Sequence, residues 1–385
     1  MNICIIGCWY KDDIYTHNCY NLVEGLKKEK DLNIKFVTSN CNCFSSSQTY
    51  SITKEELLNN NCDVVKIPYA PPKPTKEYGL MKYYIVKVFK LNFFLEIARG
   101  IAFFRKTRGC KIIHFDQVLK SFGFLSFLTL LILSKLFNRK VVVTVHELDP
   151  LQEKHKKLNR YYNKADKIIV FSNDFKQQMM NMGVKEDKIE VLYYGASLVP
   201  KKDFKRDQFI FWGGHTLLRN KGFDTLLSAL QILQLKGKPL KIIIYVGQGC
   251  IGLEEGKKKV SDMGLDKYIV WSEFLSGTKL GDAYQKSIGC IIPYTGGSGR
   301  YPATSAMANA TPVIATRKAS LPEYLGELGI YIKENSADEL ADAIIKLMDN
   351  PDLVKSIGMK LRERAEKLFA SHIITNKISK IYHSI

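Results

Sequence analysis

The sequence predicts an α/β protein of two domains. At 385 residues the chain exceeds one ordinary core, since a domain takes roughly 150 residues. Short β-branched runs alternate with longer helical patterns on both sides of a single break. Glycine-rich turns also close several of these runs, as they do where a strand hands over to a helix around a ligand.

In chain order, residues 2–6 form a β-branched run. A polar aromatic loop (8–17) follows, then an amphipathic helix (18–28) and a strand (34–38), which together make a βαβ unit. Strands are expected again at 64–67, 112–115, 141–145 and 167–171, separated by helical stretches. The apolar segment 121–135 is too short to cross a bilayer, which needs roughly 20 residues, and reads as a buried helix of a layered fold. The break is VLYYGASLVPKK (191–202), where Gly195, Pro200 and two lysines interrupt the pattern. Beyond it a second series of strands is expected at 208–212, 241–246, 268–271, 289–293 and 312–315, and the tail 337–385 is helical by pattern. The expected domains are 1–197 and 198–365, with a last helix (366–385) packing back on the first.

Apolar and charged fractions of 46% and 25% are those of a globular protein. The formal charge of +19 calls for an anionic partner: nucleic acid, an anionic membrane surface or a phosphorylated substrate. The excess concentrates in residues 66–111, where eleven Lys or Arg face only Glu77 and Glu96. Between 81 and 95, Tyr84, Ile85, Val88, Leu91 and Leu95 share one face while Lys82, Lys87 and Lys90 lie on another. That pattern suits a helix on anionic lipid and equally an ordinary core helix with a solvated basic face. Nine scattered cysteines, one Cys-x-Cys (Cys41, Cys43) and no Cys-x-x-Cys read as reduced thiols, and no metal site is expected. The N-terminus runs straight into a strand without a basic leader, so a cytoplasmic protein is expected.

Three loops at strand ends carry the candidate chemistry. QFIFWGGHTLLRNKGF gathers Gly214, His215, Arg219 and Lys221 after one strand, and YVGQG (Gly247, Gln248) ends the next. IIPYTGGSGRYPATSAMANATPVIAT places Gly297, Ser298, Gly299, Arg300 and Tyr301 between a strand and a helix that Pro302 suits. A glycine-rich helix start offers unpaired N–H groups and a positive dipole end, hence an anion site. Each loop alone is also consistent with a tight or solvated turn; together they favour a phosphate or nucleotide pocket.

These residues resemble the glycosyltransferase family 4 enzymes. GHTLLRNKGFDTLLSAL is similar to that family's glycine–arginine loop ending in Lys-Gly, IIIYVGQG to its strand and glycine turn, and AMANATPVIAT to its Glu-Ala-Met-Ala-x-Gly-x-Pro-Val-Ile-Ala run. In the first half VVVTVHELDP resembles the strand ending in Thr-x-His, and VLYYGAS the linker. The resemblance implies a GT-B fold of two facing Rossmann-like domains and transfer of a sugar from a nucleotide diphosphate sugar without a metal or other cofactor. It gives Lys221 the donor diphosphate and His146 the transferred sugar, both as catalytic residues. Gly214, His215, Arg219 and 297–301 fall to the diphosphate and sugar, and Gly247, Gln248 and Ser305 to the nucleotide.

The sequence departs from the family at three positions. His215 stands where an arginine is usual, leaving either a protonated His215 or Arg219 or Arg300 to supply the charge. Gly297 and Ser305 stand where the family has two glutamates, one toward the sugar and one toward the ribose, which puts in question the retaining stereochemistry that the resemblance implies. The expected partners are a nucleotide sugar, a saccharide or lipid-linked acceptor, and an anionic inner membrane face contacted through 66–111. Nucleic acid is not expected, because the charge lies in an apolar aromatic helix and not in a base-reading motif. The alternatives are a non-catalytic nucleotide-sugar-binding GT-B protein and a nucleic-acid-modifying transferase.

Overall fold

The computed structural model describes residues 1–6, 25–26, 28–39, 62–65, 91–116, 124–146, 161–196, 198–218, 220–238, 240–275 and 277–385. The expected loop 8–17, most of the helix 18–28, Cys41 and Cys43, residues 66–90 of the basic stretch, and Arg219 lie outside the described residues. The chain divides into two compact units, Met1–Tyr193 with Thr375–Ile385, and Tyr194–Ile374.

In the first unit the strands are β1 (Asn2–Ile6), β2 (Asn33–Ser39), β3 (Cys62–Val65), β4 (Ile112–Asp116), β5 (Lys140–Thr144), β6 (Lys167–Val170) and β7 (Ile189–Val191). They form one parallel sheet in the order β3-β2-β1-β4-β5-β6-β7. Its central strands are apolar on both faces: Ile3, Cys4, Ile5 and Ile6 of β1 and Val141, Val142 and Val143 of β5 are all fully buried. That continuous burial marks a parallel sheet covered on both sides by helices. Two helices, α1 (Leu91–Lys106) and α2 (Phe124–Leu136), pack side by side, and α3 (Asn173–Asn181) follows β6. The N-terminus of α3 is capped by Ser172, whose hydroxyl accepts from the Phe175 N–H. The short β7 ends at Val191, where the stretch that the sequence marks as a break begins.

The second unit holds β8 (Gln208–Thr216), β9 (Lys241–Ile251), β10 (Ile269–Glu273), β11 (Ser287–Ile292), β12 (Val313–Thr316) and β13 (Ile330–Ile332). They too are all parallel, in the order β10-β9-β8-β11-β12-β13. The helices are α4 (Phe223–Leu235), α5 (Leu253–Asp262), α6 (Gly277–Gln285), α7 (Arg300–Ala308), α8 (Leu321–Leu325), α9 (Ala337–Met348) and α10 (Pro351–Leu368). The core is made where Phe209, Phe211, Ile242, Ile244 and Ile291 meet Leu226, Leu230 and Leu233 of α4 and Leu340, Ile344 and Leu347 of α9. Gly358 of α10 lies so close to the Ala310 carbonyl that any side chain there would overlap it.

The helical tail resolves into α9, α10 and a final α11 (Ser371–His383). Tyr382 of α11 is fully buried in the first unit, where its hydroxyl lies 2.6 Å from His114 Nδ1. One expectation is corrected: α2 is not buried all round. Phe127, Leu130 and Leu131 enter the core, but Ile132 and Leu136 are exposed, because a helix lying on a sheet can bury only one side.

Candidate functional site

The strand order of the second unit reverses between β8 and β11, which are neighbours while their successors lie on opposite sides. At such a switch point the loops leaving two adjacent strands part and open a crevice beyond the carboxyl ends. The loop after β8 carries Asn220 and Lys221; the loop after β11 runs from Pro293 to Gly299.

These two loops are fastened to each other. The N–H groups of Thr295 and Gly296 donate to the Asn220 carbonyl at 3.1 and 3.3 Å. Gly222, with φ of 69°, abuts the Pro293 carbonyl so closely that a Cβ would overlap it. Lys221 is thereby held between the two glycine turns. Its Cε would be 3.6 Å from a Cβ at Gly214, and its Nζ 3.8 Å from one at Gly297. The ammonium sits 4.2 Å from the centroid of the Tyr294 ring, a cation–π contact that orients it. Tyr294 is fixed in turn: its hydroxyl donates to the Trp212 carbonyl at 2.6 Å, and its own carbonyl accepts from Thr316 Oγ1 at 2.6 Å. The charge of Lys221 reaches Cys250, where it opposes the upward push that burial gives the thiol.

Gly297 and Gly299 have φ of 79° and 58°, the left-handed region that favours glycine. Gly299 is the N-cap of α7 and has no side chain, so the N–H groups of Arg300 and Tyr301 in its first turn receive no side-chain cap from it. Among the other expected residues, Ser298 lends its carbonyl to Ser320 Oγ at 3.3 Å, and Ser305 is half-buried on α7 with its carbonyl accepting from Asn309 Nδ2. Tyr301 packs its ring 5.2 Å from Trp212 and 6.2 Å from Tyr194. Arg300 begins α7 with its side chain buried.

His215 is exposed at the end of β8. Its ring stands edge-on to Phe274 at 5.2 Å, and Gly247 of β9 approaches it so closely that a Cβ would overlap the imidazole. Phe274 stacks on Trp212 at 4.8 Å with the rings 5° from parallel. The backbone of Gln248 continues β9, and its side chain lies outside the described residues. The structure thus groups Gly214, Lys221 and Gly297 in one place, and His215, Gly247 and the aromatic pair in another nearby on the same strand ends. The aromatic residues were not legible as site components, since any of them reads equally as core.

In the first unit, whose strand order reverses between β1 and β4, His146 follows β5 and is buried. Its Nε2 lies 2.5 Å from Asp116 Oδ1, and its ring 4.8 Å from that of Phe171. Asp116 was missed in the sequence; the signal was an acid ending the buried run IIHFD at a strand's carboxyl end. Nearby, His114 is enclosed between Tyr382 and Thr144 Oγ1, 2.7 Å from Nε2, and burial lowers its pKa to about 4 against the opposing pull of Asp116. Among the described residues no cluster of His, Cys, Asp or Glu is built to hold a metal ion. Among them also, no helix is long and apolar enough to cross a membrane.

Two parallel α/β units, one with a lysine clasped between glycine turns at its switch point, define a protein of the GT-B class. Two family descriptions match, Glycosyltransferase Family 4 over residues 53–198 and Glycosyl transferases group 1 over 206–350. The chain belongs to this glycosyltransferase family. It is 25% identical over 257 residues to an uncharacterized glycosyltransferase of Methanocaldococcus jannaschii, covering 63% of this chain and 68% of that one. It is 28% identical over 131 residues to the MMP alpha-(1->4)-mannosyltransferase of Mycolicibacterium hassiacum (33% and 31% covered). A third relative, the capsular polysaccharide biosynthesis glycosyltransferase CapM of Staphylococcus aureus, is 23% identical over 244 residues (57% and 62%). In fold the chain matches a glycosyltransferase from Rickettsia africae with a TM-score of 0.74 at 16% identity, covering 100% and 98% of the two chains. It also matches Anabaena HepE in complex with UDP, with a TM-score of 0.68 at 15% identity and 100% of both chains covered.

Proposed function

We propose that the chain transfers a sugar from a nucleotide diphosphate sugar to a saccharide or lipid-linked acceptor, in the synthesis of a cell-surface polysaccharide or glycolipid. The observation that carries this reading is Lys221 held between Gly214 and Gly297 at the switch point of the second unit. In the reaction the bond from the anomeric carbon to the β-phosphate oxygen breaks and a bond to an acceptor oxygen forms. The acceptor hydroxyl gives up its proton to an oxygen of the departing diphosphate. Negative charge grows on the departing diphosphate, and a fixed ammonium beside backbone N–H groups stabilises it without reorganising. No metal has a role in this scheme. His146, oriented by Asp116, is assigned to the transferred sugar. The relatives named for mannosyl transfer and capsular polysaccharide synthesis, and the neighbour solved with UDP, support the donor and acceptor classes.

A lipid-linked acceptor would be met at the inner membrane face, and the basic sequence of 66–111 supports a peripheral location there. The test of the donor assignment is a thermal-shift screen against uridine, guanosine, adenosine and thymidine diphosphates and their sugars. A nucleoside diphosphate that stabilises the parent and does so equally in Lys221→Ala removes the role of Lys221. A second reading, a nucleotide-sugar-binding protein without transfer, is motivated by Gly297 and Ser305 in place of two carboxylates. Calorimetric binding of a nucleotide sugar with neither transfer nor hydrolysis for any acceptor selects it.

A further inference from the structure

The first unit has one surface that its core does not explain. Helices α1 and α2 run side by side in the same direction. At their starts the Leu125 N–H donates to Glu96 Oε2 at 2.8 Å and Ser126 Oγ to the Glu96 carbonyl, while at their ends Phe104 and Phe137 pack at 5.0 Å between ring centroids. Between these points Gly100 approaches Ser126 and Thr129 so closely that a Cβ would stand 2.7 Å from Thr129 Cβ. The outer faces of the two helices therefore form one continuous layer.

That layer is apolar where water would favour polar groups. Among the described residues of the first unit, every exposed large hydrophobic side chain lies on it: Phe93, Phe94, Ile101, Ile132, Leu136 and Phe137. Phe94, Leu136 and Phe137 are 65%, 73% and 63% exposed, which sets them apart from residues grazing the edge of a core. Phe94 and Ile101 are seven residues apart and Ile132 and Leu136 four, so each pair shares a helical face. A contiguous patch of this kind marks an interaction site.

Its charge is one-signed. Residues 91–116 and 124–146 hold eight Lys or Arg, of which Arg99 alone is buried, against two carboxylates: Glu96, engaged at the start of α2, and the buried Asp116. Arg105, Lys106, Arg108 and Lys111 are exposed at the end of α1. Lys135 and Lys140 share Asp166, at 2.5 and 3.8 Å, and Arg139 stacks over Phe104 at 4.4 Å. Apolar aromatic side chains rimmed by cations are the complement of a lipid surface with anionic headgroups: the rings enter the acyl boundary while the cations meet phosphates.

We infer that the outer face of the α1–α2 layer is a docking surface for an anionic phospholipid bilayer, with Phe94, Leu136 and Phe137 as inserting side chains and Arg105 and Arg108 as headgroup contacts. This rests on the reading that the acceptor is lipid-linked, and it fixes the contact on two helices where the sequence pattern pointed to the stretch 66–111 alone. The experiment is flotation of the full chain with phosphatidylcholine vesicles with and without phosphatidylglycerol. The parent binds only the anionic vesicles. Phe94→Ser/Leu136→Ser/Phe137→Ser lowers that binding by about tenfold or more, and Arg105→Glu/Arg108→Glu abolishes it at physiological salt, with melting temperatures near the parent's. Parent that stays unbound, or a triple variant that binds like the parent, overturns the inference. So does a parent that sediments as a dimer while the triple variant is a monomer, which makes the face a contact between copies. Nucleoside diphosphate binding by the same proteins reports on the donor site separately, so loss of one reading leaves the other measurable.

Discussion

Asp116 Oδ1 lies 2.5 Å from His146 Nε2, with both side chains buried at the carboxyl ends of neighbouring strands. The pairing follows from register. Asp116 is opposite Thr144 in the β4–β5 ladder, and His146 follows two residues later on the same strand line. A carboxylate accepting from Nε2–H fixes the ring's tautomer and rotation, leaving Nδ1 as the imidazole's other polar atom. Asp116→Asn keeps the shape and removes the acceptor-only character. Its kcat is expected to fall on the order of tenfold to a hundredfold, with KM for the donor little changed and the fold intact by circular dichroism. Equal turnover by Asp116→Asn and parent removes the positioning role.

Lys221 is the cation on which the donor assignment turns. Lys221→Gln, which retains length and polarity, is expected to weaken nucleoside diphosphate binding by about 2 kcal/mol, roughly thirtyfold, while leaving binding of the bare nucleoside unchanged. Calorimetry with the two ligands makes the comparison internal. A variant that loses affinity for both equally points to a collapsed loop and not to a missing charge.

How much of this was legible depends on whether the contact is local in sequence. The turn GGHTLLRNKG and the loop TGGSGR carry their own signals, because glycine at a strand end and a lysine a few residues on are read without knowing the fold. The sheet order that brings Gly214, Lys221 and Gly297 together was only implied by the alternation of elements. Asp116 and His146 are thirty residues apart and meet through strand register, which no local pattern encodes. The strands β7 and β13 have three residues each, too few for a period, and were not foreseen. The run in α2 is apolar all round, so periodicity could not say which side meets water. Arg300 closes the glycine loop TGGSGR in the sequence, yet as the first residue of α7 its side chain turns inward.

Two glycines of the site separate strain from collision. At Gly297 a Cβ has room, with nothing nearer than Lys221 Nζ at 3.8 Å, but φ is 79°. Gly297→Ala is therefore expected to cost only about 1 kcal/mol in stability. At Gly222 the same left-handed backbone is combined with overlap on the Pro293 carbonyl, a backbone atom with nowhere to go. Gly222→Ala is expected to cost about 3 kcal/mol or more and to part the two loops, so that diphosphate binding is lost with it. Chemical denaturation of both variants beside the parent checks the order; equal losses sink the claim that the loops are clamped at Gly222.

The last prediction concerns pH and the first unit. His114 is fully buried, with Tyr382 Oη 2.6 Å from Nδ1 and Thr144 Oγ1 2.7 Å from Nε2, two hydroxyls that serve the neutral ring in either tautomer. Burial lowers its pKa to about 4; Asp116 pulls upward and His146 downward by smaller amounts. In the unfolded chain a histidine titrates near 6.5. Between these values the unfolded state binds a proton that the folded state refuses. The contribution of neutral His114 is thus fully present above about pH 6.5 and is lost as pH falls toward 4, by about 3 kcal/mol in all. His383 acts in the opposite sense: its pKa is raised by the Ser379 carbonyl and Asp31, so its contribution is present at low pH and fades as pH rises, and being exposed it is small. His114→Gln removes the titrating group while keeping polar atoms for the two hydroxyls. It is expected to lower stability at pH 7 and to flatten the decline between pH 6.5 and 4. Urea unfolding followed at several pH values in that window distinguishes the outcomes, and a variant that keeps the parent's slope assigns the acid sensitivity to another group.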